Sequence, residues 1–338
     1  MIKYILIAAI ATTVFFGSWG YGERKALRIT PSTPVTKVLA SLGKDYKDKK
    51  PLKSVPGVSA EAGEMLFKQG FAEKVKGGKT KKQSKHFVCT SCHNVEKEEM
   101  DLSVSDPQAR LEYTAKENLP FLQGTTMYGA VTRETYYNGD YSKKYGDLVE
   151  PARNDIRGAI QLCAVECAQG RSLNTWELES ILAYLWTLDL KIEDLQLSES
   201  ELADLENGTI TDDEKITLVQ SKFLQGSPAH FIPPPVDRKA GTGLEGDPEN
   251  GKLIYVNSCM HCHYRKKYSF LHLDTTRLSF SHLKKKAATY HNHSLYQVTR
   301  WGVPSKSGKS SYMPQYPVEK MSDQQLTDLM SYIDQQSQ

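Results

Sequence analysis

The six cysteines of this 338-residue chain fall as three close pairs, Cys89/Cys92, Cys163/Cys167 and Cys259/Cys262, and two of the pairs run straight into a histidine. One half reads Cys89-Thr90-Ser91-Cys92-His93 and the other Cys259-Met260-His261-Cys262-His263. Residues three apart on a helical turn share a face, so each motif presents two sulfurs side by side with an imidazole next along the chain. Composition yields a random Cys-x-x-Cys-His only about 0.003 times in a chain like this. Two copies, each preceded by a helical pattern, demand a fold that builds the same constellation twice. The cysteines are too few for a disulfide-built scaffold.

This spacing has a physical sense as an attachment site for c-type haem. Cys89 with Cys92, and Cys259 with Cys262, would form two thioethers along one porphyrin edge, and His93 and His263 would project towards iron as proximal ligands. The rival readings are zinc and a redox-active Cys-x-x-Cys. Zinc needs four converging ligands at each site, and the Cys163/Cys167 pair can complete only one. A thioredoxin-type pair belongs in a βαβ pattern, which this chain lacks.

A haem iron has a sixth position to fill. In the second half Met313 is the candidate, 313 − 263 = 50 residues after His263, and Pro314 biases it towards extended backbone in a loop. Met321 and Met330 fit the buried stripe of the last helix or its start, and read as core. His272, His282, His291 and His293 are alternatives that read more simply as surface residues or propionate contacts. In the first half Met100, Met127 and His86 lack a supporting context. Cys163 and Cys167 leave three readings open: inert packing on a helix face, a disulfide that is geometrically poor four residues apart, or a thiol facing haem iron. Thiolate ligation would lower the potential of that haem below that of a Met-ligated partner.

The order of signals predicts a mainly α chain. Residues 1–22 hold Lys3 and an apolar run, read either as a signal peptide cleaved after Gly20 or as an uncleaved anchor through residues 4–22. In both cases the rest of the chain is exported, to the periplasm. Residues 23–57, rich in Pro, Ser, Thr and Lys, read as a tether. Residues 58–192 form a first domain, with a helix after Ser59 and a lysine-rich loop from Lys74 to Lys85. Ile156, Ile160, Cys163 and Cys167 share one helix face, which Gly170 caps. An Asn174/Glu177 capping box opens the helix carrying Leu178, Ile181, Leu182 and Leu185. Residues 193–245 are an acidic linker with capping boxes at Ser198/Glu201 and Thr211/Glu214, then a Pro-rich spacer. Residues 246–338 form a second domain opening at Asp247-Pro248 and closing on a Ser322/Gln325 capping box before Leu326, Leu329, Met330 and Ile333. Both halves share a plan, which points to a diverged duplication. The net charge of +3 is too balanced for a nucleic-acid binder.

Both halves resemble cytochrome c domains, over roughly residues 58–192 and 246–336. Gly251, Tyr255, the second cysteine motif, Tyr312-Met313-Pro314 and the last helix are similar to small class I cytochromes c. Gly63, the Phe87-to-His93 run, Ile160, Cys163, Gly170, Leu173, Glu177 and Tyr184 are similar to the N-terminal domain of dihaem thiosulfate dehydrogenases. That resemblance implies two tandem cytochrome c domains, two covalent haems and redox protein partners, either as an electron carrier or as a cytochrome subunit of a membrane complex. It also implies an enzymatic alternative, thiosulfate joined to tetrathionate at a haem ligated by Cys163. The chain departs from that family at Ala159, where those enzymes carry arginine, and at Cys167-Ala168-Gln169-Gly170. Arg153, Arg157 and Arg171 stand near enough in sequence to serve an anion. Five tyrosines (Tyr128, Tyr136, Tyr137, Tyr141, Tyr145) crowd the preceding loop.

Overall fold

The computed structural model describes residues 28–207, 209–289, 294–303 and 312–338, so the apolar N-terminal segment, His291 and His293 lie outside the described residues. In chain order the helices are α1 (Val35–Ser41), α2 (Ala60–Gln69), α3 (Pro107–Lys116), α4 (Tyr141–Tyr145), α5 (Ile156–Leu162), α6 (Thr175–Thr187) and α7 (Glu199–Asn207). They continue as α8 (Asp212–Ser221), α9 (Pro248–Ile254), α10 (Met260–His263), α11 (Arg277–Ala287), α12 (Leu295–Trp301) and α13 (Asp323–Gln336). Extended pairing among the described residues is confined to isolated bridges, such as Val303 with Met313. The fold is mainly α, and no helix among the described residues is long and apolar enough to cross a membrane.

Helix starts follow the capping residues. Ser59 accepts from the Ala62 N–H at 3.1 Å to open α2, and Asp247 accepts from Glu249 N–H at 2.9 Å, with Pro248 in the first turn of α9. The boxes at Asn174/Glu177, Ser198/Glu201, Thr211/Glu214 and Ser322/Gln325 all close. Each satisfies amides that a helix start leaves unpaired, worth about 1 kcal/mol.

Two helix crossings organise the halves, and they are built alike. Where α2 crosses α6, a Cβ on Gly63 would overlap the Ser180 carbonyl oxygen and stand 2.8 Å from Tyr184 Cβ. Where α9 crosses α13, a Cβ on Gly251 would overlap the Asp328 oxygen and stand 2.8 Å from Tyr332 Cβ. Four residues on from each glycine an aromatic ring closes the crossing: Phe67 lies 5.7 Å from Tyr184, and Tyr255 lies 5.6 Å from Tyr332. Only glycine lets the backbones come this near.

Three expectations need correction. Residues 28–57 are not simply a tether: Val35, Val38 and Leu39 of α1 are buried against Leu190, Ile192, Leu205 and Val219. This third core absorbs the acidic linker too, because α7 and α8 turn apolar residues inward while their carboxylates face water. The helix expected to run from Ile156 through Cys167 leaves α winding at Leu162, and residues Cys163–Cys167 form a π turn. Its left-handed terminal residue is Gln169 (φ 51°), not Gly170. Gly170 is required because a Cβ there would strike the Gln83 backbone at 2.5 Å.

The halves are not independent. Leu111 of α3 and Phe121 sit in the core formed by α9, α11 and α13, and the Phe121 N–H donates to Asn257 O at 2.9 Å. Arg110, 1% exposed, joins them by charge. Its Nε donates to Glu98 at 2.9 Å, its other nitrogens reach the carbonyls of Leu122 and Lys320, and it stacks 4.5 Å over Phe121.

Candidate functional site

Each Cys-x-x-Cys-His motif lies at the foot of its half's helix crossing. In the second half, α9 passes through a π turn, Tyr255–Cys259, into α10, which carries Met260 to His263. In the first half, residues 70–88 intervene after α2, and Cys89–Ser91 form a single 3₁₀ turn. Burial pushes the thiols of Cys89 and Cys259 up to about 12 and that of Cys262 up to about 11. All six cysteines are unbridged. The motif thiols are therefore neutral groups enclosed by protein, unlike thiolates held for nucleophilic attack.

The two histidines are prepared in the same way. His93 donates through Nδ1 to the carbonyl of Thr125 at 2.7 Å, and His263 donates through Nδ1 to the carbonyl of Leu271 at 2.8 Å. A carbonyl only accepts, so each bond fixes the proton on Nδ1 and presents Nε2 with a free lone pair. That is the tautomer a metal requires, and the outer hydrogen bond orients the ring and raises its basicity. Burial lowers the proton affinity of both rings, which keeps them neutral. Sequence reasoning missed the residues that set this up. Thr125 and Leu271 contribute backbone atoms, which leave no side-chain signature. Gly124 brings its loop against His93, where a Cβ would stand 2.6 Å from Nδ1.

The motifs also touch one another. His261, inside the second motif, lies beside the backbone of Thr90, inside the first, and its ring is tilted against Tyr268 with centroids 5.6 Å apart. Phe87 packs 5.7 Å from Tyr312 and 6.5 Å from Tyr268. Tyr312 is thus turned towards the first motif, while its neighbour Met313 pairs with Val303 by main-chain hydrogen bonding at 2.7 Å. A Cβ on Gly302 would overlap the Met313 oxygen. Met321 and Met330 are core residues, as their stripe predicts. His272 and His282 are exposed, Met100 is 58% exposed, and Met127 packs on the first-half core. His86 is half-buried beside Phe87.

Cys163 and Cys167 come together within the first half. Both lie on one π turn, and the Tyr137 hydroxyl lies 4.0 Å from the Cys167 sulfur. Tyr137, Tyr141 and Tyr145 pack in series, Tyr137 meeting Tyr141 edge-on at 5.1 Å and Tyr141 stacking on Tyr145 at 6.3 Å. The other two tyrosines serve the scaffold, Tyr128 donating to Asp194 at 2.6 Å and Tyr136 to Arg133 O at 3.2 Å. The arginines considered for an anion are engaged elsewhere. Arg157 forks onto buried Glu179, Arg171 onto buried Glu177, and Arg153 pairs with Glu150. The four converging donors of a zinc site are not found among the described residues.

The lone-pair histidines, the half-buried paired thiols and the glycine-tight helix crossing recur in both halves. In the second half, residues 248–337 match the cytochrome c family model. A cytochrome c domain implies a covalently bound c-type haem and electron transfer, and Cys259 and Cys262 lie inside the matched span. No curated protein and no solved structure matches the chain.

Proposed function

We propose that the chain is an exported dihaem cytochrome c that relays single electrons between redox proteins at the periplasmic side of the membrane. The observation that carries the dihaem reading is the repeated hydrogen bond from histidine Nδ1 to a backbone carbonyl, at 2.7 Å for His93 and 2.8 Å for His263. The matched crossings at Gly63 and Gly251 support reading the first half as a second cytochrome c domain, diverged by residues 70–88. Cys89, Cys92 and His93 would hold one haem, and Cys259, Cys262 and His263 the other. When bound, the haems supply reversible one-electron redox chemistry. The protein's residues fix each imidazole, exclude water with the Phe87, Tyr268 and Tyr312 rings, and hold the two motifs in contact. Met313 would ligate the iron of the second haem, and a Cys163 or Cys167 sulfur that of the first.

The enzymatic reading, thiosulfate oxidation at the first haem, draws support from the sulfur pair and from Lys144 beside Cys167. The engaged arginines weigh against a broad anion site. The test is haem content and spectra of the matured protein. Two haems per chain are expected, falling to one in Cys92→Ala or Cys262→Ala, with the sulfur-to-iron charge-transfer band lost in Met313→Leu. One haem in the unaltered chain would refute the dihaem reading. Turnover of thiosulfate with an artificial acceptor would replace the carrier by the enzyme.

A further inference from the structure

We propose that the lysine-rich turn of the first half, with the chain segment beside it, is a docking surface for an anionic phospholipid membrane. This rests on the reading that the chain works at a membrane. Residues 28–85 hold 14 Lys and Arg against 5 Asp and Glu, a net of +9 in a chain whose total is only +3. Charge is therefore segregated, and residues 86–338 are net acidic. Among the described residues, the lysines of this stretch held in ion pairs are Lys44, Lys47 and Lys68. Lys74, Lys76, Lys79, Lys81, Lys82 and Lys85 are all exposed.

The turn that presents them is ordered and stands clear of the fold. Lys74 N–H donates to Gly78 O at 2.8 Å, Gly77 N–H to Lys74 O at 2.9 Å, and Glu73 pairs with Lys79 across the turn. A Cβ added at Gly77 or Gly78 would meet nothing within 4 Å, so the protein leaves that tip uncovered. Val75, between Lys74 and Lys76, is 74% exposed. The turn lies against Gly57, where an added Cβ would overlap Val75. From there the surface continues along α6, because Trp176 donates to Gly57 O and Trp186 to Lys49 O, both at 2.7 Å. This run exposes Lys50 and Lys53, with Leu52 between them 45% exposed. Twice, then, an exposed apolar side chain stands between exposed lysines. A merely solvated loop requires neither.

A lipid surface accounts for the whole pattern. Headgroup phosphates receive lysines at any spacing, whereas a protein partner needs carboxylates matched to each one. Apolar side chains among basic ones enter the boundary between headgroups and acyl chains. The apolar run from Tyr4 to Phe16 adds a second element, and stable anchoring combines one hydrophobic element with a basic patch. The residues between Phe16 and Arg28 span at most about 40 Å, which keeps the first half within reach of the surface.

The test places the full, haem-loaded chain on vesicles of neutral phosphatidylcholine, alone or mixed with anionic phosphatidylglycerol, and reads lysine acylation by mass spectrometry. Each lysine held at an anionic surface gains about five-fold in occupancy, so Lys74, Lys76, Lys79 and Lys81 are expected to label about five-fold more slowly on the mixed vesicles. Lys284 and Lys285 of α11 are expected to label equally on both. High salt restores the labelling, because it screens the attraction. The triple variant Lys76→Gln, Lys79→Gln, Lys81→Gln, altered only at exposed positions, is expected to lose the protection of Lys74 and Lys82 with haem content unchanged. Equal labelling of the turn on the two vesicles, or equal protection of the α11 lysines, would overturn the proposal; the first result would assign the turn to an acidic protein instead. Flotation keeps the underlying reading distinct. A chain that floats with neutral vesicles but shows no protection loses the docking surface alone, and one that floats with neither loses the membrane reading as well.

Discussion

Replacing Gly124 by alanine tests whether the first histidine is positioned by its loop. The added Cβ would stand 2.5 Å from Cys92 O and 2.6 Å from both His93 Cε1 and Nδ1, where ordinary contact begins at 3.4 Å. Relief needs a movement of about 3.4 − 2.6 = 0.8 Å between loop and imidazole. Taken along the His93-to-Thr125 hydrogen bond, now 2.7 Å, it stretches that bond to about 3.5 Å, past the useful range for N–H···O. The lost bond costs about 0.5–1.5 kcal/mol and the overpacking about 1–3 kcal/mol, together roughly 2–4 kcal/mol. The assay is guanidinium unfolding of the haem-loaded protein with a redox titration of each haem. A less basic imidazole stabilises ferric iron less, so on the proposed dihaem reading the potential of the haem held by His93 rises while that of the haem held by His263 is unchanged. Stability changed by less than about 0.5 kcal/mol with an unmoved potential would refute the reasoning.

Other substitutions probe the scaffold. Gly63→Ala and Gly251→Ala each lose at least about 1–3 kcal/mol, read by chemical denaturation, because the facing atoms are backbone; a neutral result would mean the helices do not cross so closely. Arg110→Met strands the buried Glu98 carboxylate and costs roughly 3–5 kcal/mol. Adding Glu98→Gln should recover part of that loss, and strictly additive effects would show that the two do not act as a pair. Burial raises the Asp189 carboxyl from 3.8 to about 6, so the folded state binds its proton more tightly than the unfolded chain does. Stability therefore falls as pH rises through that window. Asp189→Asn flattens the fall, and an unchanged slope between pH 4 and pH 6 would exclude this residue as its source.

Much of the molecule was legible because its signals are local. Capping boxes at Asn174, Ser198, Thr211 and Ser322 name helix starts from residues three apart. The cysteine motifs declare their chemistry within five positions. The apolar stripe of α13 and the residues leading into it mark Met330 and Met321 as core and leave Met313 in its loop. Other features were not legible because they depend on partners distant in sequence. Nothing in residues 28–57 shows that Val35, Val38 and Leu39 will meet Leu190 and Val219. Arg157 and Arg171 read as surface charge until Glu179 and Glu177 are seen to be buried beneath them.

By itself the sequence determined which atoms can carry the chemistry: paired thiols followed by an imidazole, twice, on a mainly helical chain. Covalent spacing along one turn suffices for that. Tertiary structure alone decided the setting of those atoms. It placed carbonyls of Thr125 and Leu271 behind the two histidines, brought Thr90 against His261, and inserted Phe121 from one half into the core of the other. It also wound Cys163–Cys167 as a π turn where one continuous α-helix face was expected. Hydrogen bonds to backbone carbonyls and the winding of a helix are set by packing across the whole fold, and no residue type records them.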